Sequence, residues 1–240
     1  MGHYFYTETF MKKPIFYNEM AYAVGLILLA IGAAFMTKAN FGMSMIAAPA
    51  YLLHLKLVTY LPFFSFGMAE YTVQIILLII TAIILREIKV TYLFSIVTAL
   101  IYGLLLDTSI WLMGFIMPAT DPYLWLRLFD FAIGMALCCA GVSLLFHTYL
   151  APEAYELFVK RLAMHKHWQL HKVKTFYDCG SCLVAIILSF LFFGFGHFEG
   201  VKLGTTFCAF FNGLTIRGFS YLFDKGFRFE DRFALRKYFE

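Results

Sequence analysis

Two long apolar stretches contain glycines at the same spacing: AYAVGLILLAIGAAFMT at residues 21–37 and LFDFAIGMALCCAGVSLLFHTYL at residues 128–150. A helix needs about 20 mainly apolar residues to cross the hydrocarbon core of a bilayer. Each stretch contains two glycines seven residues apart: Gly25 and Gly32 in the first, Gly134 and Gly141 in the second. The stretches therefore predict membrane-spanning helices, and their matching glycines predict equivalent parts of a repeat.

The composition excludes a soluble domain. Of the 240 residues, 62% are hydrophobic and 14% are charged, whereas soluble domains average roughly 45–50% and about 25%. A soluble chain of this length has too small an interior for that much apolar surface. The composition also excludes disorder, and the 5 cysteines do not resemble a secreted disulfide framework. We expect a polytopic membrane protein whose first apolar stretch is a span and not a cleaved signal.

Four further stretches have the length of a spanning helix. With the two stretches above, they predict an all-α membrane protein with six transmembrane helices. The last of the four carries Asn212 and Arg217. The four stretches are Phe66–Leu85, Val90–Met117, Phe176–Phe198 and Val201–Phe223.

Two shorter segments lie between the predicted spans. Met43–Leu57 measures about 22 Å as a helix and contains Pro49, which interrupts helical hydrogen bonding, so it predicts a broken or interfacial helix. Pro152–Trp168 is amphipathic, and Pro152 and Glu153 suit the first turn of a helix. We expect this second segment to lie at the membrane surface.

The distribution of cations predicts the orientation. Lysines and arginines concentrate on one side of the six-span topology, at both termini, around Arg86, and in the connection from Glu153 to Lys174. Because cytoplasmic loops carry the excess of positive charge, we expect both termini in the cytoplasm. The opposite side receives Lys38, Lys56, Arg127 and Lys202.

The special features of the sequence recur at an offset of 109–110 residues. A proline-containing segment follows the first helix of each half, and Phe66 and Gly103 match Phe176 and Gly213. Three spans per half give the halves opposite orientations, so we expect an inverted 3+3 repeat, as in many secondary transporters. Likeness by composition alone is the alternative. The expected divisions of this single membrane domain are residues 20–117, residues 128–223, and cytoplasmic termini at 1–19 and 224–240.

Several short motifs support a family resemblance. They are Gly42-Met43-Ser44, Gly103 with Asp107, Pro152-Glu153, Lys172 and Lys174 before Phe176-Tyr177-Asp178, and Glu199-Gly200 before Gly204-Thr205. With them, residues 20–223 resemble the YczE/YyaS/YitT family of bacterial integral membrane proteins. Met45 departs from the proline expected after the Gly-x-Ser step of that family. The resemblance implies the bacterial cytoplasmic membrane and no particular activity.

Ionisable and amide side chains at membrane depth are the candidate functional residues. Such groups are costly in hydrocarbon, face the bundle interior and mark solute pathways. Asp107 is the strongest candidate because it lies far from both ends of its helix. The predicted solute-binding residues are Asp107, Arg217, Asp178, Glu70, Lys38, Asn40, Asn212 and Glu153, with Ser44 and Gln74 as further hydrogen-bonding groups.

Depth along the membrane normal predicts which of these groups meet. Asp178 and Arg217 both fall in the inner half, so we expect a buried ion pair or a shared polar cavity. Lys38, Glu70 and Asp107 are expected to form a mixed-charge cluster in the outer half. The alternative is that these charges only hold helices together and that Arg217 extends to the lipid headgroups.

We predict no cofactor and no metal. Cys179-Gly180-Ser181-Cys182 has the spacing of a redox dithiol or of half a metal site, although cysteine is also a common small apolar residue of helices. No nucleotide-binding glycine loop, HExxH pair or nucleophile elbow occurs. We therefore expect neither an enzyme nor a nucleic-acid-binding protein.

Two functions remain open. The first is a small-solute transporter or permease with a polar site between the repeats. The second is a non-transporting membrane partner, such as a substrate-capturing subunit, that docks another protein on its basic cytoplasmic face through residues 152–174 and 227–240. The expected partners are the lipid bilayer, a small-molecule solute and, in the second case, a protein.

Thiol labelling in intact cells tests the orientation. With the native cysteines replaced by serine, Lys202→Cys is expected to react with a membrane-impermeant maleimide from outside. Lys166→Cys is expected to stay protected until the cells are opened. The opposite pattern contradicts the predicted orientation.

Overall fold

The computed structural model describes residues 13–87, 90–116, 123–194, 201–233 and 236. These residues form eight α-helices and two three-residue strands. Glu199-Gly200 and the predicted span ends at Met117 and Phe198 lie outside the described residues. The elements are β1 (Ile15–Tyr17), α1 (Asn18–Ala39), α2 (Ala48–Leu57), α3 (Phe66–Leu85), α4 (Val90–Ile116), α5 (Leu124–His147), α6 (Ala154–Lys166), α7 (Leu170–Phe193), α8 (Leu203–Gly226) and β2 (Arg228–Glu230).

Among the described residues, five helices are long and apolar enough to cross a bilayer: α1, α3, α4, α5 and α7. Large apolar side chains such as Ile83, Leu104 and Leu191 are exposed on them, as expected of surfaces that lipid solvates. The chain is therefore an integral membrane protein. α8, the predicted sixth span, is 24 residues long but less apolar than the other five.

The boundaries of α3 are those predicted, whereas α7 begins at Leu170 and not at Phe176. Lys172 and Lys174 consequently belong to a helix and not to the connection before it. Lysine has a high helix propensity, and its aliphatic stem can follow an apolar surface. A hydrophobicity pattern therefore places the start of this helix too late.

The four paired glycines lie where α1 and α5 cross. Gly25 faces Gly141 and Gly32 faces Gly134, so the two helices run antiparallel. A Cβ atom on Gly32 would stand 2.7 Å from the Gly134 carbonyl oxygen, and one on Gly141 would stand 2.6 Å from that of Gly25. Small residues allow such close backbone contacts, which are a main source of packing energy between helices in membranes.

The other helix contacts come in matched pairs. α4 packs on α1 as α8 packs on α5, and α2 packs on α7 as α6 packs on α3. The pair α3 and α4 has its counterpart in α7 and α8. Exchanging the group α1–α4 with the group α5–α8 therefore converts each of these contacts into another observed contact.

Pro49 begins α2 and does not interrupt it, so the predicted interruption at this residue is wrong. The proline lies in the first turn of the helix, where its missing N–H costs no intrahelical hydrogen bond. The break lies earlier, in the irregular residues 40–47. There Gly42 has a φ of +117°, which favours glycine.

α6 packs its first turns into the helix bundle, and its predicted location at the membrane surface stays a prediction. Its first turns are buried at Ala154, Tyr155 and Glu156, whereas its last turn is exposed. An amphipathic pattern predicts a surface helix when the polar face meets water. Here the polar residues of the first turns meet polar residues of α3 and α7 inside the bundle.

The two ends of the chain are joined by the parallel pair of β1 and β2, with Ile15 opposite Arg228. The Glu19 carboxylate accepts hydrogen bonds from the backbone N–H groups of Arg232 (3.2 Å) and Phe233 (3.0 Å) and from the Tyr149 hydroxyl (2.6 Å). These contacts dock the segment after α8 against the start of α1. A hydrophobicity pattern does not predict strands this short.

Gly32→Ala is expected to lower the melting temperature of the detergent-purified protein, because overpacking at the α1–α5 contact costs about 1–3 kcal/mol. Gly218→Ala is the matched control. A Cβ atom there would meet nothing within 4 Å, and alanine is a better helix former than glycine by up to about 1 kcal/mol. Equal melting temperatures for the two variants would contradict the close contact.

Candidate functional site

A cavity of about 50 Å³ lies beside the crossing of α1 and α5. Its wall combines residues of α1, α5 and α8 with the segments that open α2 and α6. Apolar side chains such as Leu29, Met36 and Ile216 line one part of it. The polar part consists of Ser44, Glu70, Tyr102, Cys138, Cys139, Glu153, Tyr155, Glu156, Lys174 and Asn212.

Residues 148–153 bring Glu153 to this cavity without regular secondary structure. Backbone groups outside a helix need other hydrogen-bond partners in apolar surroundings. Ser95 Oγ of α4 donates to the Pro152 carbonyl (2.8 Å), and Thr98 Oγ1 lies 3.0 Å from the Ala151 carbonyl. These two hydroxyl groups fix the segment against α4.

Gln74 connects α3 to the start of α6. Its Nε2 donates to Glu153 Oε2 (3.3 Å), and its Oε1 accepts from the Ala154 backbone N–H (3.1 Å). The Gln74 side chain is fully buried. Because both ends of the amide are used, this residue sets the position of the Glu153 carboxyl group relative to α3.

Glu70 lies one helical turn before Gln74 on α3. The Tyr155 hydroxyl of α6 donates to Glu70 Oε2 at 2.9 Å, and both side chains are buried. This hydrogen bond is a second link between α3 and the first turns of α6. It leaves the other oxygen of Glu70 available at the cavity.

Lys174 connects α7 to the same cluster. Its Nζ lies 3.4 Å from Glu156 Oε1 and 3.2 Å from Asp178 Oδ1, and all three side chains are buried. Asp178 follows Lys174 by four residues, the spacing that places two side chains on one face of a helix. The lysine therefore links its own helix to α6.

Besides Asp178 Oδ1, which lies 3.2 Å from Lys174 Nζ, three carboxyl oxygens of this cluster have no hydrogen-bond partner among the described residues: Glu70 Oε1, Glu153 Oε1 and Glu156 Oε2. The three side chains are only 1–2% exposed. Buried polar atoms nearly always have a partner, and each exception needs an explanation. All three residues line the cavity, so the unpaired oxygens are candidates for contact with water, protons or a solute.

The charges in the cluster do not balance. It contains four buried carboxyl groups, those of Glu70, Glu153, Glu156 and Asp178, and the buried ammonium group of Lys174. Burial, followed by the nearby charges of Glu156 and Glu70, raises the pKa of Glu153 well above its ordinary value. The cluster therefore favours the uptake of protons or of another cation.

The structure brings four of the predicted polar residues to the cavity wall, namely Ser44, Glu70, Glu153 and Asn212. Gln74 and Asp178 are not part of the cavity wall, but they contact Glu153 and Lys174, which are. The other predicted residues lie elsewhere in the fold.

Asp107 forms a cap for α3. Its two carboxylate oxygens accept hydrogen bonds from the Ser65 hydroxyl (2.5 Å) and the Gly67 backbone N–H (2.8 Å). A carboxylate at the start of a helix satisfies its unpaired N–H groups and interacts favourably with its dipole. Both oxygens are thus engaged in holding α4 to the start of α3.

Lys38 and Asn40 lie at the C-terminal end of α1. Lys38 Nζ donates to the Met113 carbonyl at 3.0 Å. The side-chain oxygen of Asn40 accepts a hydrogen bond from Lys202 Nζ at 2.6 Å, and the backbone carbonyl of Asn40 accepts one from Arg127 Nη2 at 2.7 Å. These contacts join the ends of α1, α4, α5 and α8.

The predicted contact between Arg217 and Asp178 is wrong. Asp178 forms its ion pair with Lys174, and Arg217 is exposed on the outer side of α8. An arginine side chain is long enough to reach the headgroup region from the outside of a bundle. Equal depth along the membrane normal did not determine the contact, because the two side chains lie on different sides of the bundle.

Tyr155, Glu156 and Lys174 belong to the site and were missed by sequence reasoning. The sequence predicts the connection before α7 at the membrane surface, and there Glu156 and Lys174 are expected to face water. Two spacings carried a signal: Glu153 with Glu156, and Lys174 with Asp178. Each places two ionisable groups on one face of a helix.

The cysteines fall into two groups. Cys138 and Cys139 line the cavity, whereas Cys179 is exposed and Cys182 is half-buried. Within the described part of the chain, no three His, Cys, Asp or Glu side chains are grouped closely enough to hold a metal ion. A redox role for Cys179 and Cys182 stays a hypothesis.

Fold and cavity together define a class, an integral membrane protein with a charged cavity buried between its helices. The chain belongs to DUF6198, a family of unknown function, whose model matches residues 16–221. No curated protein and no solved structure matches the chain. All residues of the cavity wall lie inside the matched region, and the resemblance to the YczE/YyaS/YitT family stays a prediction.

Lys174→Met is expected to destabilise the protein by about 3–5 kcal/mol at pH 8, because it leaves Glu156 and Asp178 buried without their cation. Thermal unfolding at pH 8 measures the effect, with Lys172→Met as the control at an exposed lysine of the same helix. An equally small effect for both variants would contradict the buried ion pairs.

Proposed function

We propose that this protein is a small-solute transporter whose binding site is the cavity beside the crossing of α1 and α5. The observation that carries the proposal is the set of three buried carboxyl oxygens without partners, on Glu70, Glu153 and Glu156. Ionisable groups inside a membrane are costly and are kept where a solute or proton path needs them. A purely structural cluster would be expected to satisfy its own oxygens.

The arrangement of the helices supports an inverted repeat, α1–α4 and α5–α8. A two-fold axis in the membrane plane that exchanges the halves would turn Gly25–Gly141 into Gly134–Gly32, the second close contact that occurs. The matched helix pairs support the same relation. In this proposal α8 is the sixth span and corresponds to α4.

The position of the cavity supports alternating access. It lies between the halves, where transporters with inverted repeats bind their solutes. The irregular residues that open α2 and α6 reach it from opposite halves, as Ser44 and Glu153 show. Rocking of one half against the other about the α1–α5 contact would then open the cavity to either side.

The docking function predicted from the basic connection is less favoured. Lys174 and Glu156, which belong to the region proposed to contact a protein partner, are buried in the cluster. Their charges neutralise one another inside the bundle and are not available to a partner.

Solute flux into proteoliposomes tests the proposal. A panel of amines, amino acids, carboxylates, sugars and nucleosides is compared between wild type and Glu153→Gln, a variant of the same shape without the charge. We expect wild-type flux for at least one solute and at least a tenfold loss in Glu153→Gln, on the scale of a lost charged contact of about 1.5–3 kcal/mol. Glu230→Gln, on the strand after α8, is the matched control and keeps wild-type flux.

Asp107→Ala separates binding from folding. Because Asp107 caps α3, its loss should lower the melting temperature by the equivalent of about 0.5–2 kcal/mol and leave the flux per folded molecule nearly unchanged. Two results together would contradict the transporter and favour the docking function. They are the absence of flux for every solute with the wild-type protein, and its co-purification with a stoichiometric partner.

A further inference from the structure

The three carboxyl groups at the cavity share one pattern. In each, one oxygen is held by a protein donor: Tyr155 for Glu70, Gln74 for Glu153, and Lys174 for Glu156. The second oxygen of each has no partner among the described residues. The protein thus fixes the three groups and leaves one acceptor on each for something in the cavity.

The rest of the wall suits a ligand with an apolar body. Leu29, Met36 and Ile216 offer apolar surface, and Tyr102 and Tyr155 offer aromatic rings. Aliphatic walls cannot replace the water shell of a small inorganic ion, whereas they gain by contact with carbon groups. Aromatic rings attract ammonium and guanidinium groups through their negative faces.

We propose that the cavity binds an organic cation, an ammonium or guanidinium group on a small apolar body, in exchange for protons of the carboxyl groups of Glu70, Glu153 and Glu156. This inference rests on the proposed function and names the class of its solute. An ammonium group has three N–H donors and a guanidinium group has five. These donors match acceptors that the protein leaves unused.

The exchange conserves charge. A carboxyl group that is protonated in the empty cavity releases its proton to water, and the cation takes its place beside the carboxylate. One cation enters for each proton released, so the buried cluster keeps the same net charge. Binding without this release would add an uncompensated charge to an apolar interior.

The direction of the pH dependence follows from the groups around Glu153. Burial and neighbouring carboxylates raise its pKa, so it binds a proton in a range where an ordinary glutamate does not. Cation binding is therefore expected to weaken as pH falls and to strengthen as pH rises, by up to about tenfold per pH unit for one exchanged proton. The charged or titratable groups whose fields couple to Glu153 are Tyr22 of α1, Glu70 of α3, Tyr102 of α4, Cys138 of α5, Tyr155 and Glu156 of α6 and Lys174 of α7.

Matched probes on the purified full-length protein test the inference. n-Butylammonium is compared with n-butanol and butyrate, and guanidinium is compared with urea, so that charge changes while the body is nearly constant. Methylammonium and tetraethylammonium cover smaller and larger cations, and sodium and potassium represent inorganic ones. We expect at least one organic cation to raise the melting temperature, more at pH 8 than at pH 6, with no shift from its neutral or anionic counterpart.

Calorimetry measures the proton exchange directly. Titration of the active cation in two buffers of different ionisation enthalpy gives the number of protons released, and we expect about one per cation. Glu153→Gln should lose that release and weaken binding at least tenfold, while its own melting temperature stays close to that of wild type, because the protonated carboxyl group and the amide that replaces it are both neutral. Glu70→Gln is a second variant of the same design, and Glu230→Gln is the control.

The outcomes separate this inference from the proposed function. Stabilisation by butyrate, butanol or urea, or flux of an anionic or neutral solute, overturns the organic cation and leaves the transporter standing. A response to sodium or potassium alone overturns the organic body. Absence of a shift with every cation overturns the inference, and absence of all flux in proteoliposomes overturns the transporter as well.

Discussion

The backbone contact of Gly32 with Gly134, repeated at Gly25 and Gly141, fixes how closely α1 and α5 approach. Membrane helices gain no hydrophobic free energy from meeting one another, so close packing has to provide the attraction. α4 and α8 then pack on the outer flanks of this pair. The cavity is the space that remains beside the crossing, where the larger side chains Leu29, Met36 and Val142 replace the glycines.

A second constraint acts on the backbone that leaves the helices. Residues 148–153 lie outside the helices, and α4 supplies partners for the Pro152 and Ala151 carbonyls through Ser95 and Thr98. The Glu153 carboxyl group at the end of this segment accepts a hydrogen bond from Gln74 of α3 through one oxygen, and its other oxygen has no partner among the described residues. We propose that this difference between a satisfied backbone and an unsatisfied side chain marks a binding site and not a structural polar cluster.

The sequence predicts features that neighbouring residues determine, and it does not predict features that depend on contacts between distant parts of the chain. The span Phe66–Leu85 follows from its apolar length, and Glu70 and Asn212 were predicted at membrane depth because they interrupt apolar runs. Glu153 was predicted as a solute-binding residue, although its helix was expected at the membrane surface. Asp107 has the same local signature, yet its partners come from the start of another helix. Lys174 was assigned to a surface because lysine is most often solvated.

The start of α7 and the buried end of α6 were missed for one reason. Hydrophobicity measures the solvent that a residue prefers, and it cannot recognise a polar face that meets another polar face. Glu156 of α6 and Lys174 of α7 form an ion pair, so each offsets the free-energy cost of burying the other's charge. Considered alone, each residue is expected at an exposed position. A pairing of this kind depends on the tertiary fold and has no periodic signal in the chain.

In the proposed inverted repeat, the two halves share the pattern of helix contacts and differ in chemistry. At the offset of the repeat, Ser44 of the first half corresponds to Glu153 of the second, and both reach the cavity. Matching backbones allow the halves to exchange conformations at similar energy, which alternating access needs. The carboxyl groups come from both halves, Glu70 from α3 and Glu153 and Glu156 from the start of α6, and these two helices pack together. In the proposed transporter, movement of one half against the other would therefore change the distances among the carboxyl groups that hold the solute.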